Sequence, residues 1–196
     1  MKSKQWLNRQ KKDPFVIKDQ QEGFLSRDDF KLIEIEEKLK LINNSKNIFE
    51  FGSSPGGWTQ VIIKLNSKAK ITAIDLIEMK FNHSNIKFYK NDFLNINFQK
   101  FNKKYDLILS DIAPNTTGHK STDHLRICSY LFDIIDILDL IADNNSSFVT
   151  KIWKGSEENV IIKKLKNKYN EVSYFKPKSS RKDSSEIFIV AQNFIN

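Results

Sequence analysis

One stretch constrains this chain more than any other. The apolar run Asn47-Ile48-Phe49-Glu50-Phe51 ends in Gly52-Ser53-Ser54-Pro55-Gly56-Gly57, and helical spacing resumes at once from Trp58 to Leu65. A short buried strand that passes through a glycine-rich turn into a helix opens a parallel sheet, because a parallel partner is reached only by a long crossover. The pattern then recurs. Residues 71–75 read as a second strand closing on Asp75, 86–89 as a third, 105–111 as a fourth closing on Asp111, and 147–153 as a fifth, reached through a long helix over about 121–142. A further helix near 157–168 leads to two last strands, 172–175 and 187–191, joined by the basic loop 176–182. Strands separated by helices imply an α/β fold with a mostly parallel sheet covered on both faces. The last strand follows a strand and a loop with no helix between, so it is expected to pair antiparallel, giving seven strands in all.

Upstream of the sheet, Ser26-Arg27-Asp28-Asp29 supplies an N-cap and early acids, and Phe30, Leu32, Ile33, Ile35 and Leu39 follow at helical spacing, so a first helix carries Lys31. Residues 26–196 are expected to form one domain, since no repeat or dividing linker interrupts them and 196 residues can enclose one core unaided. Residues 1–25 read as a basic arm in which Lys4, Arg9, Lys11 and Lys12 are interleaved with Trp6, Phe15 and Phe24. Such aromatics can stack on bases while the cations meet phosphates, although they can equally dock on the core. Lys plus Arg is 32 against 24 Asp plus Glu, a net charge of +8. That excess favours polyanionic partners, nucleic acid first, while a composition rich in Lys and Asn would also produce it. The lone Cys128 in an apolar helix suits a reducing compartment, hence the cytoplasm. No export or membrane segment is expected, because the start lacks an apolar core and the stretch 131–141 is broken by Asp133, Asp136 and Asp139. Nor is a metal expected, since His83, His119 and His124 lack ligand spacing with Cys128 or one another.

In open α/β sheets ligands bind beyond the carboxyl ends of the strands, where the notable residues of this chain fall. Gly52, Gly56 and Gly57 permit close backbone approach, and the helix that follows presents N–H groups to a carboxylate. The spacing Gly-x-x-x-Gly-Gly, with Pro55 inside and the bulk of Trp58 after it, departs from the Gly-x-Gly-x-x-Gly fingerprint of dinucleotide sites. Asp75 stands where a carboxylate can accept bonds from ribose hydroxyls, and Asp92 where one can meet an adenine amino group. Singly each is as readily a helix cap or turn former; together they describe a nucleoside pocket. Lys31, Asp111, Lys151 and Glu186 stand out as charges among apolar neighbours, which need partners or a task. A buried Lys151–Asp111 ion pair with Lys31 and Glu186 solvated would also meet that need.

Over essentially its whole length the chain resembles the FtsJ/RrmJ family of ribose 2′-O-methyltransferases. The resemblance rests on Ser26-Arg27-x-x-Phe30-Lys31-Leu32, on Gly52-Ser53-Ser54-Pro55-Gly56-Gly57-Trp58-Thr59-Gln60, and on Ser110-Asp111-Ile112-Ala113-Pro114-Asn115. It continues through Val149-Thr150-Lys151 and Ser179-Ser180-Arg181 to Ser185-Glu186-Ile187-Phe188-Ile189-Val190-Ala191. The family usually has Asp two residues before the first motif glycine, whereas this chain has Glu50, one methylene longer. The resemblance implies a Rossmann-like class I methyltransferase fold and a catalytic tetrad of Lys31, Asp111, Lys151 and Glu186 around the target hydroxyl, with Lys151 as proton acceptor. It implies S-adenosylmethionine as cofactor and S-adenosylhomocysteine as product, held by Glu50, Gly52, Pro55, Gly56, Gly57, Trp58, Asp75, Leu76, Asp92, Phe93 and Asp111.

The chemistry suits those side chains. A ribose hydroxyl is a poor nucleophile until its proton begins to leave, and a neutral lysine within hydrogen-bond reach can take it; a charged lysine would instead orient the oxygen. The resemblance to the compact bacterial members implies methylation of a uridine ribose in large-subunit (23S) rRNA, on the 50S particle, by a monomer expected in the cytoplasm. Transfer to tRNA or an mRNA cap, and a non-catalytic role in ribosome assembly, are the alternatives. Arg27 and the arm, with Lys178, Arg181 and Lys182 of the basic loop, are the expected RNA contacts.

Overall fold

A computed structural model describes residues 28–180 and 184–195. The arm with Lys4, Arg9, Lys11 and Lys12, and also Arg27, Arg181 and Lys182, lie outside the described residues. In chain order the elements are α1 (Asp28–Leu39), β1 (Asn47–Phe51), α2 (Gly57–Leu65), β2 (Lys70–Asp75), β3 (Ile86–Lys90), β4 (Tyr105–Ser110), α3 (Lys120–Ile141), β5 (Ala142–Trp153), α4 (Glu158–Lys166), β6 (Tyr169–Phe175) and β7 (Glu186–Phe194). The seven strands form one sheet in the order β3-β2-β1-β4-β5-β7-β6. Pairings from β3 across to β5 are parallel, and β7 runs antiparallel to both β5 and β6. Strand order reverses beside β1, so the carboxyl ends of β1 and β4 flank the place where connections diverge to opposite faces.

Side-chain alternation divides the sheet into two faces. On one, Ile48, Ile71, Ala73, Leu107, Leu109, Val149, Phe188 and Val190 pack beneath Leu32 and Ile35 of α1 and Trp58, Val61 and Ile62 of α2. On the other, Phe49, Phe51, Phe148, Ile152, Ile187 and Ile189 meet α3 through Ile127, Leu131, Ile134 and Leu138, and α4 through Ile161 and Leu165. Phe49 and Phe51 are fully buried, and their rings lie 4.5 Å apart by centroid. Each contributes about 2–3 kcal/mol by leaving water. The apolar run that reads as a strand thus fills both layers at once.

Several boundaries differ from the sequence reading for local reasons. β5 begins at Ala142, because the polar stretch 143–146 is carried as an irregularity in which Ala142 pairs with Tyr105 and Ser147 with Leu107, Asn145 taking a left-handed φ of 61°. β6 starts at Tyr169 because that ring is buried against Phe194, 5.1 Å away, which extends β7 as well. No helix separates β2 from β3, and the link from β3 to β4 holds only the 3-10 turns Phe93–Asn95 and Phe98–Lys100. Helix cover is therefore thinner at the β3 edge than the alternating pattern suggests.

Candidate active site

The faces decide which charged residues meet. Counting by twos from buried apolar positions, Asp75 follows Ile71 and Ala73, Glu50 follows Ile48, Asp111 follows Leu107 and Leu109, Lys151 follows Val149, and Glu186 precedes Phe188 and Val190. All five therefore leave the sheet on the face covered by α1 and α2. All five stand at one edge of it too, at the carboxyl ends of β1, β2, β4 and β5 and the amino end of antiparallel β7. Trp153 is the register partner of Glu186 and Lys151 that of Phe188, so Lys151 and Glu186 are diagonal neighbours on that face. Lys31 enters from above on α1.

Three ion pairs result, two of them on Lys31. Lys151 Nζ donates to Asp111 Oδ1 at 2.6 Å and to its carbonyl at 3.0 Å. Lys31 Nζ is paired with both Glu186 and Asp28, its side chain only 8% exposed. Burial alone would lower the Lys31 amine, but Asp28 and Glu186 carry it above the ordinary lysine value. Burial pushes the Asp111 carboxyl up to about 6 against the pull of Lys151; Asp28 adds to the rise and Lys31 opposes it. The Lys31 and Lys151 pairs therefore act on one another electrostatically, and Glu186 is paired and partly buried where the simpler reading has it solvated.

Glu50 lies deepest. It is 1% exposed, with Oε2 accepting from Thr59 Oγ1 at 2.6 Å and Oε1 buried without a hydrogen-bond partner. Burial pushes its carboxyl up to about 8; Thr59 opposes the rise, and Asp111, Asp75 and Asp29 add to it. A buried oxygen without a donor, with three more carboxylates acting on it, can accept from a cationic group.

The remaining residues expected at the cofactor divide by what their side chains touch. Asp75 accepts from Ser54 N at 2.9 Å and Ile77 N at 2.8 Å, which fixes the loops after β1 and β2 and leaves lone pairs for hydroxyl donors. Asp92 accepts from Leu94 N at 3.0 Å as a cap of the first 3-10 turn, and Leu76 is 66% exposed beside Asp75. Two of these side chains also hold the fold together. Trp58 is 3% exposed and its indole N–H donates to the Asp28 carbonyl at 3.0 Å, so the ring seats α1, and with it Lys31. Phe93 packs edge-on against Phe51, with centroids 5.6 Å apart, because a ring beside that aromatic layer gains more from burial than from the surface. Pro55 is exposed, its carbonyl accepting from Lys80 N at 3.0 Å. The close approach that the glycines permit is made by the protein itself. A Cβ on Gly52 (φ +72°) would lie 2.8 Å from Ile112 N, one on Gly56 (φ +109°) 2.7 Å from Phe81 Cβ, and one on Gly57 would collide with the Asp29 carboxylate.

Sequence reasoning missed several residues that hold this arrangement together. Asp28 pairs with Lys31 and Asp29 is fully buried beside Gly57, whereas both read as ordinary early-helix acids. Glu34 accepts from Lys178 N at 2.6 Å and Ser179 N at 2.8 Å, tying the basic loop to α1 and leaving the Lys178 side chain exposed. His124 bridges Trp153 O at 2.7 Å and Glu157 N at 2.9 Å, pinning the exit of β5 two residues beyond Lys151. The buried Thr59, eighth residue of its motif and third of α2, carried the one available signal: a hydroxyl on the helix face turned toward Glu50.

Solved structures share this architecture. A ribosomal RNA methyltransferase from Plasmodium falciparum superposes with a TM-score of 0.77 at 31% identity, over 87% of this chain and 98% of that one. Human methyltransferase-like protein 13, in complex with SAH, shares the fold at a TM-score of 0.56 and 14% identity, over 78% of this chain and 74% of that one. Sheet order and acidic strand ends together define a methyltransferase of the Rossmann-like class. More narrowly, residues 24–194 match the FtsJ-like methyltransferase model, and the chain belongs to that family. It is 38% identical over 201 residues to the ribosomal RNA large subunit methyltransferase E of Rickettsia bellii, across 97% of this chain and 88% of that protein.

Proposed function

We propose that this chain transfers a methyl group from S-adenosylmethionine to the 2′-hydroxyl of a uridine in large-subunit (23S) rRNA, acting on the 50S particle as a cytoplasmic monomer. The observation that carries the reading is the gathering of Lys31, Asp111, Lys151 and Glu186, from four elements, on one face at one edge of the sheet. The substrate class rests on the relatives, which are named for ribosomal RNA. Among the described residues no helix is long and apolar enough to cross a membrane.

The site suits the cofactor because both are charged in complementary ways. Glu50 would hold the ammonium of its amino-acid end, Asp75 the ribose hydroxyls and Asp92 the adenine edge, while the acidic ring as a whole favours a cationic ligand. When bound, the cofactor supplies an electrophilic methyl on sulfur. The chain's own residues do the rest. Lys31, kept charged by Asp28 and Glu186, orients the acceptor oxygen; Asp111 fixes Lys151, which takes the hydroxyl proton onto its lone pair when it stands as the neutral amine, becoming the ammonium that Asp111 holds. Lys178, Arg181 and Lys182 steer the RNA backbone toward Glu186 from the loop that Glu34 anchors.

Tritiated methyl transfer tests this with under-methylated 50S particles, free 23S rRNA and tRNA as acceptors. The expected result is alkali-stable label at a ribose in 50S particles, with little in the other two. Label in tRNA alone would reject the substrate, and no transfer to any acceptor would reject the enzyme.

A further inference from the structure

Opposite the site just described lies a second cavity, of about 820 Å³, between the outer strands β2 and β3 and the segment 91–103 that leads into β4. It opens where the sheet has no helix cover. Lys70 and Thr72 of β2 and their neighbours Lys87 and Tyr89 of β3 project into this face by alternation, and Lys100, Phe101 and Lys103 close it from the other side. The floor is aromatic and polar. Tyr89 and Phe101 stand 5.5 Å apart by ring centroids, and Tyr105 donates to Thr72 Oγ1 at 3.0 Å. Lys87 lies over the Tyr89 ring at 5.0 Å and Lys103 over that of Tyr105 at 5.2 Å.

Four lysines therefore line one groove, and among the described residues none of them has a carboxylate within ion-pair distance. Burial lowers the Lys103 amine and Lys70 lowers it further, while Asp106 opposes the fall. Asparagine side chains complete the rim with neutral donors and acceptors. Cations spaced along a groove, with partly buried rings between them, suit a strand that offers phosphates and flat bases. The catalytic edge is on the other face. Thr72, Lys87 and Tyr89 leave the sheet on the face opposite Asp75, Asp111 and Lys151, so the sheet stands between a ligand here and the acceptor hydroxyl.

We propose that this groove binds a single-stranded segment of RNA, as a second contact separate from the acceptor site; the idea rests on RNA being the substrate. The probe is a fluorescein-labelled 12-mer oligouridylate, its binding followed by anisotropy from low to moderate salt. Lys87→Ala/Lys100→Ala/Lys103→Ala is compared with a charge-matched control, Lys120→Ala/Lys163→Ala/Lys166→Ala, at exposed positions elsewhere. If three phosphate contacts are lost, the slope of log K against log salt falls by about 2 and affinity at low salt drops by about 10- to 100-fold, with the control near wild type. A 4-thiouridine oligomer should also cross-link to the peptides carrying Tyr89 or Phe101. Equal slopes and affinities for the two triple variants, or cross-links confined to other peptides, overturn the groove. Methyl transfer by the unmodified chain is assayed beside it: failure there refutes the rRNA reading and is separate from the oligonucleotide result.

Discussion

Glu50→Gln is the perturbation that reports most directly on how the cofactor is held. The carboxyl is buried, raised from 4.5 to about 8, and has one oxygen without a donor. Before any cation arrives it is therefore mostly protonated at neutral pH. A ligand ammonium seated on Oε1 favours the ionised form, so binding must expel the proton, and by linkage affinity must rise with pH until the carboxyl ionises unaided. With a free value near 8, binding at pH 7 releases about 0.9 proton, and affinity rises about eightfold between about pH 6.5 and about pH 7.5. Asp111, raised to about 6, adds only about 1.3-fold over that interval. Titration calorimetry with S-adenosylhomocysteine in buffers of different ionisation enthalpy measures the released proton directly. The variant should bind more weakly, release almost none and lose most of the pH dependence.

The stability of the unliganded protein should move the other way. For an acid raised on folding, the native state holds the proton that the unfolded state loses between about 4.5 and 8, so stability falls as pH rises through that window. Glutamine escapes this penalty, which is about 5 kcal/mol at most by pH 9. Urea unfolding at pH 6 and pH 9 should therefore show the variant gaining on wild type at the higher pH. Proton release by the variant equal to wild type, or a stability difference that does not grow with pH, refutes the reasoning.

If the Lys151 amine serves the acceptor as proposed, Lys151→Ala should lower methyl transfer by at least about 100-fold while S-adenosylhomocysteine affinity stays near wild type; lost affinity in calorimetry would make it a structural residue. In single turnover, the wild-type rate should climb with pH, and a flat profile would assign Lys151 an orienting role. Thr59→Val leaves Glu50 Oε2 without its donor and should cost about 1–3 kcal/mol in urea unfolding at pH 7; a neutral outcome would mean that the hydroxyl contact contributes nothing. Lys178→Ala/Arg181→Ala/Lys182→Ala should weaken rRNA binding and reduce its salt slope by about 2, and an unchanged slope would remove the loop from the RNA path.

How much of this could be read in the sequence depends on the range of the interaction concerned. The strands were legible because burial on both faces writes itself as short apolar runs, and the Asn47–Phe51 strand came out to the residue. Edges were less so. Tyr169 extends β6 only because Phe194, twenty-five positions on, offers it a ring. The gathering of Lys31, Asp111, Lys151 and Glu186 was half legible. Parity along each strand puts Asp111, Lys151 and Glu186 on one face, but nothing local says that α1 lies over that face. That position is fixed by the Trp58 indole on the Asp28 carbonyl and by Leu32 and Ile35 against the sheet. The motif tryptophan also acts as an anchor in space, a role its place in the sequence does not announce. What it anchors is the lysine, while Asp28, on the same turn of α1, gives that lysine its second carboxylate. On the proposed mechanism, a smaller ring at Trp58 should lower methyl transfer through the placement of Lys31, and methyl-transfer rates of Trp58→Phe beside those of wild type check it.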